Sequence, residues 1–235
     1  MNTCTICVCI TETTTQAAMQ SITQAEEAGA DMLELRIDYL EDITPAHLEM
    51  LIHATNKPVI VTPRLASEGG HWQSSEAERF EYLHQAVALG ADYIDVEFRA
   101  TPQLRDDLIA HKRNSQVIIS YHNFQETESL AALWRIFQEQ MDLGADIGKI
   151  ATMANSEADT RIIRNLLGKA GEAHQACIAL CMGEQGMTSR VHAPEWGSFL
   201  TFAALDHAHA SAPGQLTIDD LIMIWSKKRI FSQKG

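Results

Sequence analysis

Leu143-Gly144-Ala145-Asp146-Ile147-Gly148-Lys149-Ile150-Ala151 reads as the end of a helix, a tight turn and a short apolar strand. Glycine caps helix ends because it accepts left-handed backbone without penalty, and the apolar run beyond it is the next strand. The phrase Gly-Ala-Asp occurs twice more, at Gly29-Ala30-Asp31 and Gly90-Ala91-Asp92. Each copy follows a helical pattern and precedes an apolar run, 32–37 and 93–98 for the first two and 147–151 for the third. Three copies of one helix-to-strand turn imply a repeated αβ unit.

Working outward, strands are expected at 6–10, 33–37, 59–62, 93–97, 117–121, 147–151 and 177–181, with a weaker eighth at 199–202. Helical patterns lie between them, as at 101–112, 126–143 and 156–173. Strand ends recur roughly every 30 residues, the size of a βα unit with short loops. Eight such units fit an α/β fold of the (β/α)8 TIM-barrel type, usually about 250 residues. Residues 1–235 are therefore expected to form one (β/α)8 catalytic domain of eight parallel strands. Little material precedes the first strand to plug the lower end of such a barrel. An open doubly wound sheet is the competing arrangement, but no Gly-x-Gly-x-x-Gly follows the first strand.

Composition narrows the partners. The chain has 46% hydrophobic and 21% charged residues, ordinary for a globular core. A net charge of −13 argues against nucleic acid and anionic membrane surfaces, which need a basic face. The basic run Lys227-Lys228-Arg229 suits the last turn of a helix, whose dipole favours cations there. The N-terminal stretch has neither a basic n-region nor a long apolar core, and no window reaches the roughly 18 apolar residues of a membrane span. Five cysteines, an odd count, fit reduced thiols in a cytoplasmic enzyme better than a disulfide framework.

In a barrel, chemistry sits at the C-terminal strand ends, and several strands here end on reactive residues. Glu34, Arg36 and Asp38 alternate with Leu33, Leu35 and Ile37, so the three charges should point into the mouth. Arg64 ends the third strand, Asp95 and Glu97 lie on the fourth, and His122 follows the fifth. Lys149 shares a face with Ile147 and Ala151. Lysine is rarely buried, and an amine in an apolar strand tends to lose its charge and become a nucleophile for carbonyl carbon. As a set, Lys149 would form a Schiff base with a ketone and His122 would move protons at the adjacent carbon. Glu97 would orient that imidazole, while Glu34 and Arg64 would recognise hydroxyls. Each residue alone has a structural role available to it, an exposed ion-pair row or a snorkelling lysine among them. Their coincidence at five strand ends is the argument.

Five ordered motifs then carry a resemblance: Glu34-Leu35-Arg36-Ile37-Asp38, Tyr121-His122-Asn123-Phe124, Gly148-Lys149-Ile150-Ala151, Gly186-Met187-Thr188-Ser189-Arg190 and Ser211-Ala212-Pro213-Gly214-Gln215. Spanning first strand to last helix, the chain resembles type I 3-dehydroquinate dehydratase. The resemblance implies a (β/α)8 barrel that eliminates water from 3-dehydroquinate to give 3-dehydroshikimate in the shikimate pathway of aromatic amino-acid biosynthesis. It implies no metal and no cofactor, a small-molecule substrate, no nucleic-acid or membrane partner, and a homodimer as the candidate assembly. Lys149 resembles the Schiff-base lysine, His122 the general acid/base and Glu97 the carboxylate holding it. Glu34, Arg36 and Arg64 resemble ligands of the ring hydroxyls. Arg190, Ser211 and Gln215 resemble the clamp on the carboxylate and C1 hydroxyl, with Met182 and Phe202 as apolar walls. Departures from the family pattern are Asn123 for aspartate, Leu180 for a frequent methionine, and Cys9, at a substrate-side position, for serine.

Other motifs compete. Cys4-x-x-Cys7-x-Cys9 lacks a second ligand pair at zinc spacing and reads as strand thiols. His207-Ala208-His209 is expected on a helix, where i and i+2 do not face each other. The stretch 182–197 is expected to close over bound substrate. A class I aldolase or transaldolase would also use a barrel lysine but would need a phosphate nest. A silent barrel binding a small carboxylate would need none of the proton chemistry.

Overall fold

In the computed structural model, residues 5–232 are described, with backbone alone for 228–232. Eight parallel strands alternate with eight α-helices and form a nearly closed barrel. The strands are β1 (Ile6–Ile10), β2 (Met32–Leu35), β3 (Val59–Val61), β4 (Tyr93–Glu97), β5 (Gln116–Asn123), β6 (Ile147–Met153), β7 (Cys177–Met182) and β8 (Thr201–Ala204). The helices are α1 (Thr15–Glu27), α2 (Pro45–Ile52), α3 (Glu76–Leu89), α4 (Pro102–Ala110), α5 (Leu130–Asp142), α6 (Glu157–Glu172), α7 (Met187–His192) and α8 (Ile218–Ser232). Hydrogen-bonded neighbours run β7-β6-β5-β4-β3-β2-β1-β8. At the remaining seam Phe199 N–H donates to the Cys177 carbonyl at 2.8 Å.

The three Gly-Ala-Asp copies do the same structural job. Gly29, Gly90 and Gly144 have φ of +98°, +87° and +96°, the left-handed conformation that ends a helix. The alanine that follows is buried and donates to a carbonyl one turn back, as Ala30 N–H does to Ala25 at 2.9 Å. The aspartate then reaches back to the preceding strand. Asp31, Asp92 and Asp146 accept the N–H groups of Ile6, Val59 and Val117 at 2.9, 2.9 and 2.7 Å. A first strand N–H has no natural ladder partner there, so the carboxylate removes a cost of about 1–3 kcal/mol.

Strand alternation divides the core as expected. Leu33, Leu35 and Ile37 pack with Val8, Val59 and Val61 in the layer between sheet and helices. Cys7, Cys9, Met32, Ile60, Ile118, Ile147 and Ile178 fill the lumen. Tyr93 and Phe199, edge to face at 5.9 Å, pack against that lumen cluster at the strand-start end. Cys4 lies outside the described residues.

Boundaries differ where a side chain competes for the backbone. The second strand stops at Leu35 because a 3-10 turn, Ile37–Tyr39, takes over. The eighth starts at Thr201, which pairs with Ile6; Phe199 is still making the seam contact. α5 begins at Leu130 rather than 126, because Thr127 turns inward to Thr152 Oγ1 and the Met153 carbonyl, both at 2.8 Å. α6 is capped by a Ser156–Asp159 capping box. The run at 227–229 falls near the end of α8. Among the described residues no helix is long and apolar enough to cross a membrane.

Candidate active site

The C-terminal strand ends surround one cavity whose wall includes Lys149, His122, Glu34, Arg36, Arg64, Arg190, Ser211, Gln215, Met182, Phe202 and Cys9. These expected residues come from six strands, one helix and three connecting segments, so the fold alone brings them together. Glu97 does not join them.

Lys149 is 5% exposed. Ser120 of β5 is its register partner, and His122 stands further up opposite Ala151, so amine and imidazole rise from adjacent strands. The amine's surroundings differ from the apolar ones expected. Nζ donates to Asp95 Oδ2 at 2.8 Å, lies 3.5 Å from Glu34 Oε1 and sits 4.4 Å over the Phe202 ring. Glu34 also accepts from Thr62 Oγ1 at 2.9 Å and from the Cys9 thiol at 3.1 Å. Burial works against ionisation of Glu34 and Asp95. The cations beside them outweigh it, Lys149 and Arg36 for Glu34 and Arg64 and Lys149 for Asp95, so both carboxyls stay below their usual range.

Glu97 faces away from the imidazole. Its Oε1 accepts from Arg64 Nη1 at 3.0 Å and from Leu65 N–H at 3.1 Å, and Oε2 is bonded to Arg79 Nη1. The carboxylate beside His122 is Glu68, with Oε2 2.9 Å from Nδ1. Glu68 lies in the 3-10 turn Ala66–Glu68 after β3, outside any strand register. A polar residue in a loop reads as solvent-exposed, and only its spacing from Arg64 was available as a signal. Burial pushes Glu68 up to about 7, against the pull of Arg64. Burial, with Arg64 and Lys149 nearby, also drives His122 well below 6.5. His122 thus favours its uncharged form, while Glu68 lies close to its own midpoint near neutral pH, so a hydrogen bond rather than a full ion pair joins them there. Phe124 stacks on the His122 ring at 6.3 Å and occupies space that Gly69 leaves open.

Asp38 does not point into the mouth. The 3-10 turn swings it sideways, where it grips Arg36 Nε and Nη2 at 2.8 and 2.7 Å. The stretch 182–197 is not a free loop either. It folds into a 3-10 turn and α7, docked through Ser189 Oγ, which accepts from Cys181 N–H at 2.8 Å. Arg190 on α7 is 1% exposed, yet its Nε and Nη2 have no hydrogen-bond partner. Burial lowers its pKa from 12.5 to about 10. A buried guanidinium with idle donors on a cavity wall is a receptor for an anion. Gln215 Oε1 accepts from Ser211 N–H and Oγ at 2.6 and 3.0 Å, while its amide reaches the Cys9 sulfur at 3.4 Å. Burial and Glu34 push the Cys9 thiol up to about 12, so it acts as a weak donor, not a nucleophile.

Among the described residues no cluster of three or more His, Cys, Asp or Glu could hold a metal ion. His207 and His209 occupy a 3-10 turn and each pairs with a carboxylate.

Comparison with known proteins identifies the family. Residues 6–230 match the family model described as Type I 3-dehydroquinase. The chain is 40% identical over 219 residues to the 3-dehydroquinate dehydratase of Methanothermobacter thermautotrophicus, covering 93% of this chain and 94% of that protein. It is 39% identical over 209 residues to the bifunctional 3-dehydroquinate dehydratase/shikimate dehydrogenase of Arabidopsis thaliana chloroplasts, and spans only 34% of that longer protein. Among solved structures, the 3-dehydroquinate dehydratase of Aquifex aeolicus superposes with a TM-score of 0.81 at 28% identity, covering 94% of this chain and 97% of that one. The type I enzyme of Clostridium difficile, solved with covalently modified comenic acid, gives 0.85 at 26% identity, covering 94% and 90%.

Proposed function

The chain belongs to the type I 3-dehydroquinase family, and from that premise we propose that it dehydrates 3-dehydroquinate through an imine on Lys149. The observation that carries this reading is one cavity holding a buried amine, a neutral imidazole and an unpartnered guanidinium. A cyclic keto acid would use all three.

Arg190 pairs with the substrate carboxylate, assisted by Gln215 and Ser211 at the neighbouring C1 hydroxyl. Glu34, Arg36 and Arg64 meet the ring hydroxyls, and Met182 and Phe202 cover the apolar ring face. The amine passes a proton to the uncharged His122 imidazole and adds to the ketone carbon; that proton is then returned to the carbinolamine hydroxyl, which leaves as water and gives an iminium. The iminium withdraws electrons from the adjacent C2–H bond. His122 accepts that proton, and the electron pair moves into the ring as an enamine. The same imidazolium then protonates the C1 hydroxyl, which leaves as water in a syn elimination. Hydrolysis of the remaining iminium releases 3-dehydroshikimate and restores Lys149. Glu68 faces the imidazole nitrogen remote from this chemistry; in its ionised form it accepts that N–H and stabilises the positive charge midway. Proton transfer of this kind contributes about 10² to 10⁴ in rate.

Borohydride reduction in the presence of 3-dehydroquinate, followed by peptide mapping, tests the assignment. A reduced adduct on Lys149 is expected; turnover without an adduct there would falsify the imine.

A further inference from the structure

His209 carries a contact pattern that the reaction above does not use. It lies in the turn His207–His209, just ahead of Ser211 and Gln215, and does not line the cavity. Its Nδ1 is 2.8 Å from Asp206 Oδ1 in the same loop, and its Nε2 is 3.2 Å from Glu12 Oε1 in the corner between β1 and α1. Thr11 Oγ1, from that corner, donates to the His209 carbonyl at 3.1 Å. Glu12 is itself fixed by Ser21 Oγ at 2.6 Å, and Asp206 also accepts the N–H groups of Ala208 and His209 at 2.8 and 3.1 Å. The next histidine along, His207, faces Asp220 of α8 at 3.7 Å. One imidazole therefore joins the 206–215 loop to the first strand's exit, between two carboxylates.

We propose that His209 is a positioning residue for substrate binding, tying the 206–215 loop to the first strand's exit in the arrangement that sets Ser211 and Gln215 at the mouth. The inference rests on the dehydratase reading of the cavity. Only a doubly protonated ring can donate to both carboxylates, since a neutral imidazole has one N–H. The Asp206 hydrogen bond, and then Glu12, raise the pKa of His209 above 6.5. A group with a raised folded pKa makes its full contribution below its unfolded value and loses it as pH rises through the folded one. The tether is therefore complete in mild acid and released in alkali.

The test compares His209→Ala, Glu12→Gln and the double variant with wild type across about pH 6 to 9, the range in which a perturbed histidine titrates. At the acid end each single variant should raise KM about twofold to fivefold, the scale of a part-exposed ion pair, with kcat unchanged. The double variant should be no worse than either single one. The ratio of variant to wild-type KM should fall towards one as pH rises, and titration of His122 and Glu68 cancels in that ratio. Equal KM values in acid, or strictly additive effects, overturn the tether, because a purely structural histidine would lower stability without this pH signature. Amide exchange without substrate gives a second readout. Residues 206–216 should exchange faster in His209→Ala than in wild type, and unchanged exchange also overturns it. If wild type shows the tether in exchange but no turnover of 3-dehydroquinate, the dehydratase reading falls alone.

Discussion

Replacing Arg190 with methionine should make the protein more stable and nearly inactive at once. The guanidinium is 1% exposed, with two nitrogens lacking any partner, and burial takes its pKa from 12.5 to about 10. At 1.36 kcal/mol per tenfold change in proton affinity, that burial costs about 3 kcal/mol. Methionine keeps most of the aliphatic stem and removes the charge, and exchanging buried ions for apolar groups stabilises proteins by about 1–4 kcal/mol. Allowing for lost packing, a net gain of about 1–3 kcal/mol raises Tm by about 3–10 °C in a chain of this size. In the same variant the substrate carboxylate meets no cation. Truncating one partner of a buried charged pair costs about 2–5 kcal/mol, so kcat/KM should fall about 10²- to 10³-fold, mostly through KM. Thermal melts of both proteins, with and without a small cyclic carboxylate, provide the assay. The ligand should raise Tm of wild type by mass action and leave the variant unmoved. A lower Tm in Arg190→Met, or near-normal kcat/KM, refutes the reasoning, since either outcome means the guanidinium is satisfied within the protein.

Three further expectations concern the same cavity. Lys149→Ala should lose on the order of 10⁴-fold or more in kcat, the scale of removing a covalent nucleophile, while His122→Ala should still trap an imine by borohydride but turn over about 10²- to 10⁴-fold more slowly. Glu68 is raised to about 7, so the stability it contributes is full below its ordinary value of 4.5 and is lost as pH rises towards 7. Wild type should thus lose up to about 3 kcal/mol more than Glu68→Gln between mildly acid and mildly alkaline urea titrations; parallel pH profiles would dismiss this. Gly69 has φ of +78°, and a Cβ there would lie 2.2 Å from Phe124 Cζ. Gly69→Ala should cost about 1–3 kcal/mol and disturb the ring stacked on His122; an unaltered melt and rate would rule out that packing role.

What the sequence made legible follows from periodicity. Alternation along β2 and β6 put Glu34, Arg36 and Lys149 on the lumen side, because strand geometry leaves a side chain only two directions. The repeated Gly-Ala-Asp revealed the αβ unit for the same reason, as a local rule with one backbone solution. Partner choice is another matter. Asp38 and Glu68 both follow strand ends inside 3-10 turns, where no period says which way a side chain turns. Glu97 is the carboxylate expected to orient His122, yet Arg79 from α3 reaches across to claim it. Tertiary pairing between a helix and a strand far apart in sequence leaves no mark in either pattern. The carboxylate neighbours of Lys149 were hidden likewise, since Asp95 and Glu34 lie on other strands.

Those carboxylates bear directly on the proposed chemistry. Among the described residues at the barrel mouth, Arg36, Arg64, Arg79 and Lys149 are paired with Asp38, Asp95, Glu97 and Glu34, whereas Nε and Nη2 of Arg190 have no partner. In the proposed reaction, an anionic substrate would complete the charge balance when it binds. The covalent step then leaves the balance intact. Ammonium and iminium carry the same unit charge on the same nitrogen, so Asp95 and Glu34 meet both without reorienting. Dipoles and charges already in place for a developing cation lower its energy with no reorganisation at the moment of reaction. An apolar pocket would have favoured the free amine and then penalised the iminium it formed. A lysine set between two carboxylates has counterions in place for the proposed iminium. His122, kept neutral by burial beside Arg64 and Lys149, is then the group ready to take the proton.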